Sequence, residues 1–196
     1  MRTGVSLRPA MIGAIASLAM SIAMSLAMSL VMTVASSGAA LAASCQAFMD
    51  NMQRQAVGLA PQFVRPVVVS RGSVVPGAEV RDLVTNHRID GQLFCDGDRF
   101  VRFEAKIHAP FDSKLQGAFE KVQAVAVGFK MNWSAAKTNS VLRRMAREAN
   151  EYLRASAERG DVFISGKVEE HAGEAGDLAV VWTRSDRSFI LVEYRP

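Results

Sequence analysis

The chain has 196 residues, of which 49% are hydrophobic and 21% charged, with a formal net charge of +4. That apolar share excludes a disordered chain, and the small net charge argues against a nucleic-acid partner. Two cysteines and three histidines exclude a disulfide-dense miniprotein and leave little material for a metal site, so neither metal nor cofactor is expected.

Residues 1–42 differ from the rest. Arg2 and Arg8 are their only charges, and the uncharged stretch from Met11 to Val34 is nearly a four-residue repeat: Ser17-Leu18-Ala19-Met20, Ser21-Ile22-Ala23-Met24, Ser25-Leu26-Ala27-Met28. Ala40-Leu41-Ala42 follows as a small-residue exit. A basic start, an apolar middle and an Ala-x-Ala exit read as a secretory signal peptide of bacterial type, with the periplasm or the exterior as destination. The uncharged stretch would reach ~36 Å as a helix, so an uncleaved inner-membrane signal anchor is the alternative. A second alternative reads Ala42-Ala43-Ser44-Cys45 as a lipobox, although Leu41 lies four positions before the cysteine rather than three. All three place residues 43–196 across the membrane, because positive charge stays cytoplasmic. Membrane contact is expected only if the leader is retained or Cys45 is lipidated. Without the leader the charge falls to +2, and residues 43–196 suffice for one domain. In an oxidising compartment Cys45 and Cys95 are expected to pair, a closure worth ~4 kcal/mol on the chain-entropy account.

Residues 44–59 read as a helix with Phe48 and Met52 on one side, ended by Pro61. Within 63–76, Val67-Val68-Val69 suggests a strand or an extended loop between prolines and glycines. The clearest β signal follows. Ile89, Gly91, Leu93 and Cys95 alternate with Arg88, Asp90, Gln92 and Phe94, Asp96-Gly97-Asp98 interrupts, and Val101, Phe103, Ala105 and Ile107 then alternate with Arg102, Glu104, Lys106 and His108. This is a β-hairpin; Asp-Gly supplies the turn, and the distal glutamate of a calcium loop is missing. From Asp112, the spacing of Leu115, Phe119 and Val122 predicts a helix, while 123–133 suits helix or strand equally. A longer helix is expected over 134–159, capped by Ser134 and closed by Gly160, with Val141/Leu142, Met145, Ala149, Tyr152/Leu153 and Ser156 on one face. Three strands end the chain, over 162–169, 178–184 and 188–194. The fold class is therefore α+β: an antiparallel sheet, built from the hairpin region and the C-terminal three strands, packed on two or three helices.

The three histidines show no shared-ligand spacing. His87 and His108 lie at the open end of the hairpin and are expected to be neighbours across it, with Asp90, Glu104 or Asp112 nearby. They are the weak candidates for acid/base catalysis in a small hydrolase or metal-dependent enzyme. Arg143, Arg144, Arg147, Arg154, Arg159 and Lys137 on the 134–159 helix suggest a peripheral binder of anionic membranes, although Arg147/Glu151 and Arg154/Glu158 are spaced for ion pairs. Asn132-Trp133-Ser134 matches a glycosylation acceptor. No phosphate loop and no His-Glu-x-x-His occurs. The leading expectation is an exported, non-enzymatic binding or interaction module with a protein partner in the envelope, using an apolar patch that includes Phe94 or Trp182.

Overall fold

The computed structural model describes residues 44–64, 67–68, 77–162 and 164–194. The leader, with its alternatives, lies outside the described residues, as does most of the 63–76 stretch. Among the described residues no helix is long and apolar enough to cross a membrane.

Helix α1 spans Cys45–Gln55 and is capped by Ser44, whose hydroxyl accepts from the Ala47 amide. Two-residue strands β1 (Gln62–Phe63) and β2 (Val67–Val68) follow, then β3 (Glu79–Val84), β4 (Asp90–Asp96) and β5 (Arg99–His108). Helices α2 (Ser113–Met131) and α3 (Ala135–Arg159) intervene before β6 (Ser165–His171), β7 (Asp177–Thr183) and β8 (Asp186–Val192). Every strand pairing is antiparallel. The order across the sheet is β1-β3-β4-β5-β8-β7-β6, with β2 also pairing to β3. The hairpin region and the C-terminal meander therefore join where β5 meets β8. This is the expected α+β architecture.

The 123–133 stretch is helical as far as Met131, and Val125, Ala126, Val127 and Met131 are buried on α2. A strand there would expose half of these side chains; a helix wedged between sheet and neighbouring helices buries more than one stripe. Asp112 caps α2 through the Leu115 amide, and Ser134 caps α3 through that of Lys137. Gly160 ends α3 with φ of +73°, and Gly97 turns the β4–β5 hairpin with φ of +60°.

Helices cover one face of the sheet. A cross-strand row of Leu83, Gly91, Ala105, Phe189, Val180 and Val168 faces them. Phe48 of α1 packs its ring 5.0 Å from that of Phe103 and 5.1 Å from Phe100, and the disulfide Cys45–Cys95 fastens α1 to the end of β4. Helix α3 lies over β6 and β7, and α2 over β5 and β8.

Four expectations need correction. Strand β3 was not expected, because its apolar residues do not alternate: Val80 is buried on the face away from the helices and Leu83 on the face toward them. Val101 does not share a face with Phe103. A bulge sets Phe94 opposite Arg102 and Cys95 opposite Phe100, so Val101 is extra and joins Val80 and Phe94 in a separate cluster. Tyr152 is 58% exposed rather than part of the buried stripe of α3, which runs through Thr138, Met145, Ala149 and Ser156. Phe94 and Trp182, expected on an exposed patch, are both buried.

Candidate functional site

The open end of the β4–β5 hairpin carries the histidines singled out by sequence. His108 ends β5 opposite Asp186 of β8. Its Nδ1 lies 2.7 Å from Asp186 Oδ1 and its Nε2 lies 2.9 Å from Asp90 Oδ2, while Lys106 Nζ reaches Asp186 Oδ2 at 3.1 Å. Burial opposes the charge on Asp186, but Lys106 and His108 outweigh it and hold this carboxyl below its ordinary range. His87 and His108 both line one shallow cleft of about 420 Å³. Of the expected neighbours, Asp90 is in place, and the other two are engaged elsewhere. Glu104 pairs with Arg102, and the Asp112 carboxylate is the cap of α2. His171 is distant from these in the sheet, pairing with Asp177 at the β6–β7 end and lying edge-on to Tyr194. Among the described residues no group of three His, Cys, Asp or Glu side chains is placed to hold a metal ion.

Chemically, this arrangement is a polar clasp. Each nitrogen of His108 faces a carboxylate oxygen, so both edges of the ring are occupied by partners within the protein. The chain also contains Ser134-Ala135-Ala136-Lys137, the spacing of a serine nucleophile one turn before a lysine base. Here the serine hydroxyl is spent on the cap and the Lys137 ammonium lies 4.4 Å from the centre of the Trp133 ring.

On the opposite side of the sheet, sequence reasoning missed a second site. Ile107, Arg187 and Trp182 form a cross-strand row on the helix-facing side of β5, β8 and β7. Gln116, Phe119, Glu120 and Gln123 of α2, spaced i, i+3, i+4, i+7, form one wall over this row. Asn139, Leu142, Arg143 and Ala146 of α3 form the other with the same spacing. They enclose a cavity of about 180 Å³. Phe111, in the connection from β5 to α2, puts its ring 4.5 Å from the guanidinium carbon of Arg187, and Trp182 does so at 4.4 Å.

The polar groups of this cavity lack partners. Arg187 makes no hydrogen bond or ion pair among the described residues. Burial pushes its guanidinium below the ordinary range, and the charge of Glu120 offsets only part of that. Gln123 is 6% exposed, and its amide has no partner either. The buried indole N–H of Trp182 is likewise unbonded. A polar residue at a core position of α2 was the available signal, since Gln123 falls one residue after buried Val122 in a run otherwise rich in Val, Ala and Phe.

The basic stripe expected on α3 is partly consumed by ion pairs other than those anticipated. Arg144 pairs with Glu148 and with Glu170 of β6, and Arg159 with Asp161. The anticipated Arg147/Glu151 and Arg154/Glu158 pairs do not form among the described residues, while strand and loop carboxylates take Arg144 and Arg159 instead. Asn132 occupies the left-handed position that ends α2. Comparison with protein-family models, with curated proteins and with solved structures finds no match, so the functional reading rests on geometry.

Proposed function

We propose that this protein is an exported, non-enzymatic binding module whose ligand site is the cavity between α2, α3 and the β7–β8 hairpin. One observation carries the reading. The cavity combines an apolar lining (Ile107, Phe119, Leu142, Trp182) with unpartnered polar groups at Gln123 and Arg187, the composition of a small-molecule site. Of its lining groups only Glu120 can accept a proton at neutral pH, and none is a serine, cysteine or threonine nucleophile. Export is supported by the leader and by the disulfide, which belongs to an oxidising compartment. A sulfur bonded to Cys95 cannot also carry a thioether lipid, which disfavours the lipoprotein alternative.

The test is a ligand-observed NMR fragment screen against the protein and against Ala146→Phe, which fills the cavity. Hits lost in A146F and kept in His108→Ala support the reading. A hit set unaffected by A146F overturns it. The second reading, acid/base chemistry at His87 and His108, is favoured by their shared cleft. It requires turnover that H108A abolishes. The reading of α3 as a membrane-binding helix has the least support, because Arg144 and Arg159 already hold carboxylates.

A further inference from the structure

We infer that the cavity between α2, α3 and the β7–β8 hairpin takes a small monocarboxylic acid with an apolar body, its carboxylate received by Arg187 and Gln123. The inference rests on the binding-module reading and names the ligand class for it.

The guanidinium of Arg187 decides the charge. A half-buried cation normally lies against a carboxylate. Arg187 has none, yet it is held in place by two aromatic rings at 4.5 and 4.4 Å and by its position between Ile107 and Trp182 in the sheet. Rings on a guanidinium occupy its faces and leave the N–H groups at its edge, where a carboxylate can accept two parallel hydrogen bonds. An ammonium ligand would meet like charge at this position.

Gln123 supplies the second observation. It lines the same cavity, is 6% exposed as a residue, and its side chain makes no hydrogen bond among the described residues. An acceptor on the ligand would engage its NH₂ group and remove the cost of the unmade bond.

The remaining lining defines the rest of the ligand. Of the charged lining residues, Arg187 and Arg143 are positive and the exposed Glu120 is negative, with the charge of Glu120 reaching Arg187, so one net positive charge is left for one negative charge. Phe119, Leu142, Ala146 and Ile107 offer apolar contact and nothing to hydrogen-bond a second polar end. A dry cavity of about 150 Å³ accommodates benzene, so about 180 Å³ suits one ring or a short aliphatic chain. Inorganic phosphate has the wrong charge and no apolar body.

The experiment titrates the full-length chain, expressed with its own leader, with benzoate and hexanoate by calorimetry. Benzamide serves as the neutral isostere and inorganic phosphate as the free anion. Both carboxylates are expected to saturate, with benzamide weaker by about ten- to a hundred-fold, the value of a charge-assisted hydrogen bond. Arg187→Lys keeps the charge but loses the planar fork and should weaken benzoate about tenfold. Gln123→Leu should also weaken benzoate while raising the melting temperature, a combination that a purely structural glutamine would not give. Equal binding of benzoate and benzamide, or binding of phosphate in preference to both carboxylates, overturns the carboxylate assignment and leaves the binding module standing. Absence of binding by all four probes overturns the carboxylate assignment, and a fragment screen that yields no hits sensitive to A146F overturns the module itself.

Discussion

An alanine at position 166 would place its Cβ 1.8 Å from the carbonyl oxygen of Ala149, 2.7 Å from that carbonyl carbon and 3.0 Å from the Leu153 amide nitrogen. All three are backbone atoms of α3, so no side-chain rotation relieves the clash. The helix must retreat from β6 by more than 1 Å, roughly, before the oxygen reaches ordinary contact distance. Gaps of about 0.5–1 Å already forfeit a quarter to a half of the dispersion energy at each contact. The contacts at risk are those of Met145 and Ala149 with the sheet, both fully buried. Overpacking of this kind costs about 1–3 kcal/mol and occasionally more, while replacing a glycine returns about 0.4–1 kcal/mol through the unfolded chain. Because the obstruction is backbone, the upper range applies, and Gly166→Ala should destabilise by about 3 kcal/mol. Urea unfolding followed by circular dichroism reads this as a midpoint lower by about 1.5 M at a slope near 2 kcal/mol/M. Gly117→Ala is the control of opposite sign. It sits in α2 with nothing within 4 Å of the added methyl, so helix propensity should stabilise it by up to about 1 kcal/mol. A Gly166→Ala midpoint within error of the parent would refute the close approach of α3 to β6.

Three further outcomes follow from the same packing. Cys95→Ser opens a loop with a sequence separation of 50 residues, and should cost ~4 kcal/mol on the chain-entropy account; an unchanged urea midpoint under oxidising conditions would contradict it. Lys130 and Glu193 form an ion pair with side chains only 5% and 11% exposed, so Lys130→Met strands a buried carboxylate at a cost of about 3–5 kcal/mol. Adding Glu193→Leu should recover most of this, and a double variant no more stable than the single one would argue against the pair. Finally, Asp186 has its carboxyl lowered from 3.8, because Lys106 and His108 outweigh its burial. A depressed carboxyl contributes stability that is full above its unfolded value and is lost as pH falls through the folded one. Asp186→Asn should therefore flatten the stability profile below pH 3.8, as chemical denaturation across pH would show.

Sequence periodicity carried furthest where one physical demand acted on a segment. The β4–β5 hairpin, the caps at Asp112 and Ser134 and the stop at Gly160 were legible because alternation, side-chain capping and positive φ are local requirements. Legibility failed where two demands overlapped. In β3, Val80 serves the outer cluster and Leu83 the main core, so neither face shows a period of two. In β5, a single extra residue at Val101 reverses the faces, and a bulge is fixed by its partner strand rather than by its own sequence. The site divided similarly. His108 was visible as a chemical residue at a strand end, but its partner Asp186 is 78 positions away. Arg187 was hidden in what reads as a turn, Ser185-Asp186-Arg187, whereas β8 begins at Asp186 and aims Arg187 toward the helices.

The distribution of answered and unanswered polar groups separates the two faces of the sheet by role. On the open face His108 is answered by Asp90 and Asp186, Lys106 by Asp186, and Lys167 by Glu169 farther across. Water is available to whatever these groups leave unmade, so the clasp needs no ligand to explain it. Beneath α2 and α3 the reverse holds. The indole N–H of Trp182 is buried and unbonded, which costs about 1–3 kcal/mol, a large part of the roughly 5–15 kcal/mol that holds a domain together. Leucine at position 123 would fit beside Phe119 and Leu142 with no amide left unbonded, and an apolar side chain at 187 would pack on Trp182 without desolvating a charge. Fold stability alone selects neither residue. A glutamine and an arginine that weaken the fold and converge on one cavity are better explained by something that completes their hydrogen bonds, and that is why the site is placed under the helices rather than at the histidines.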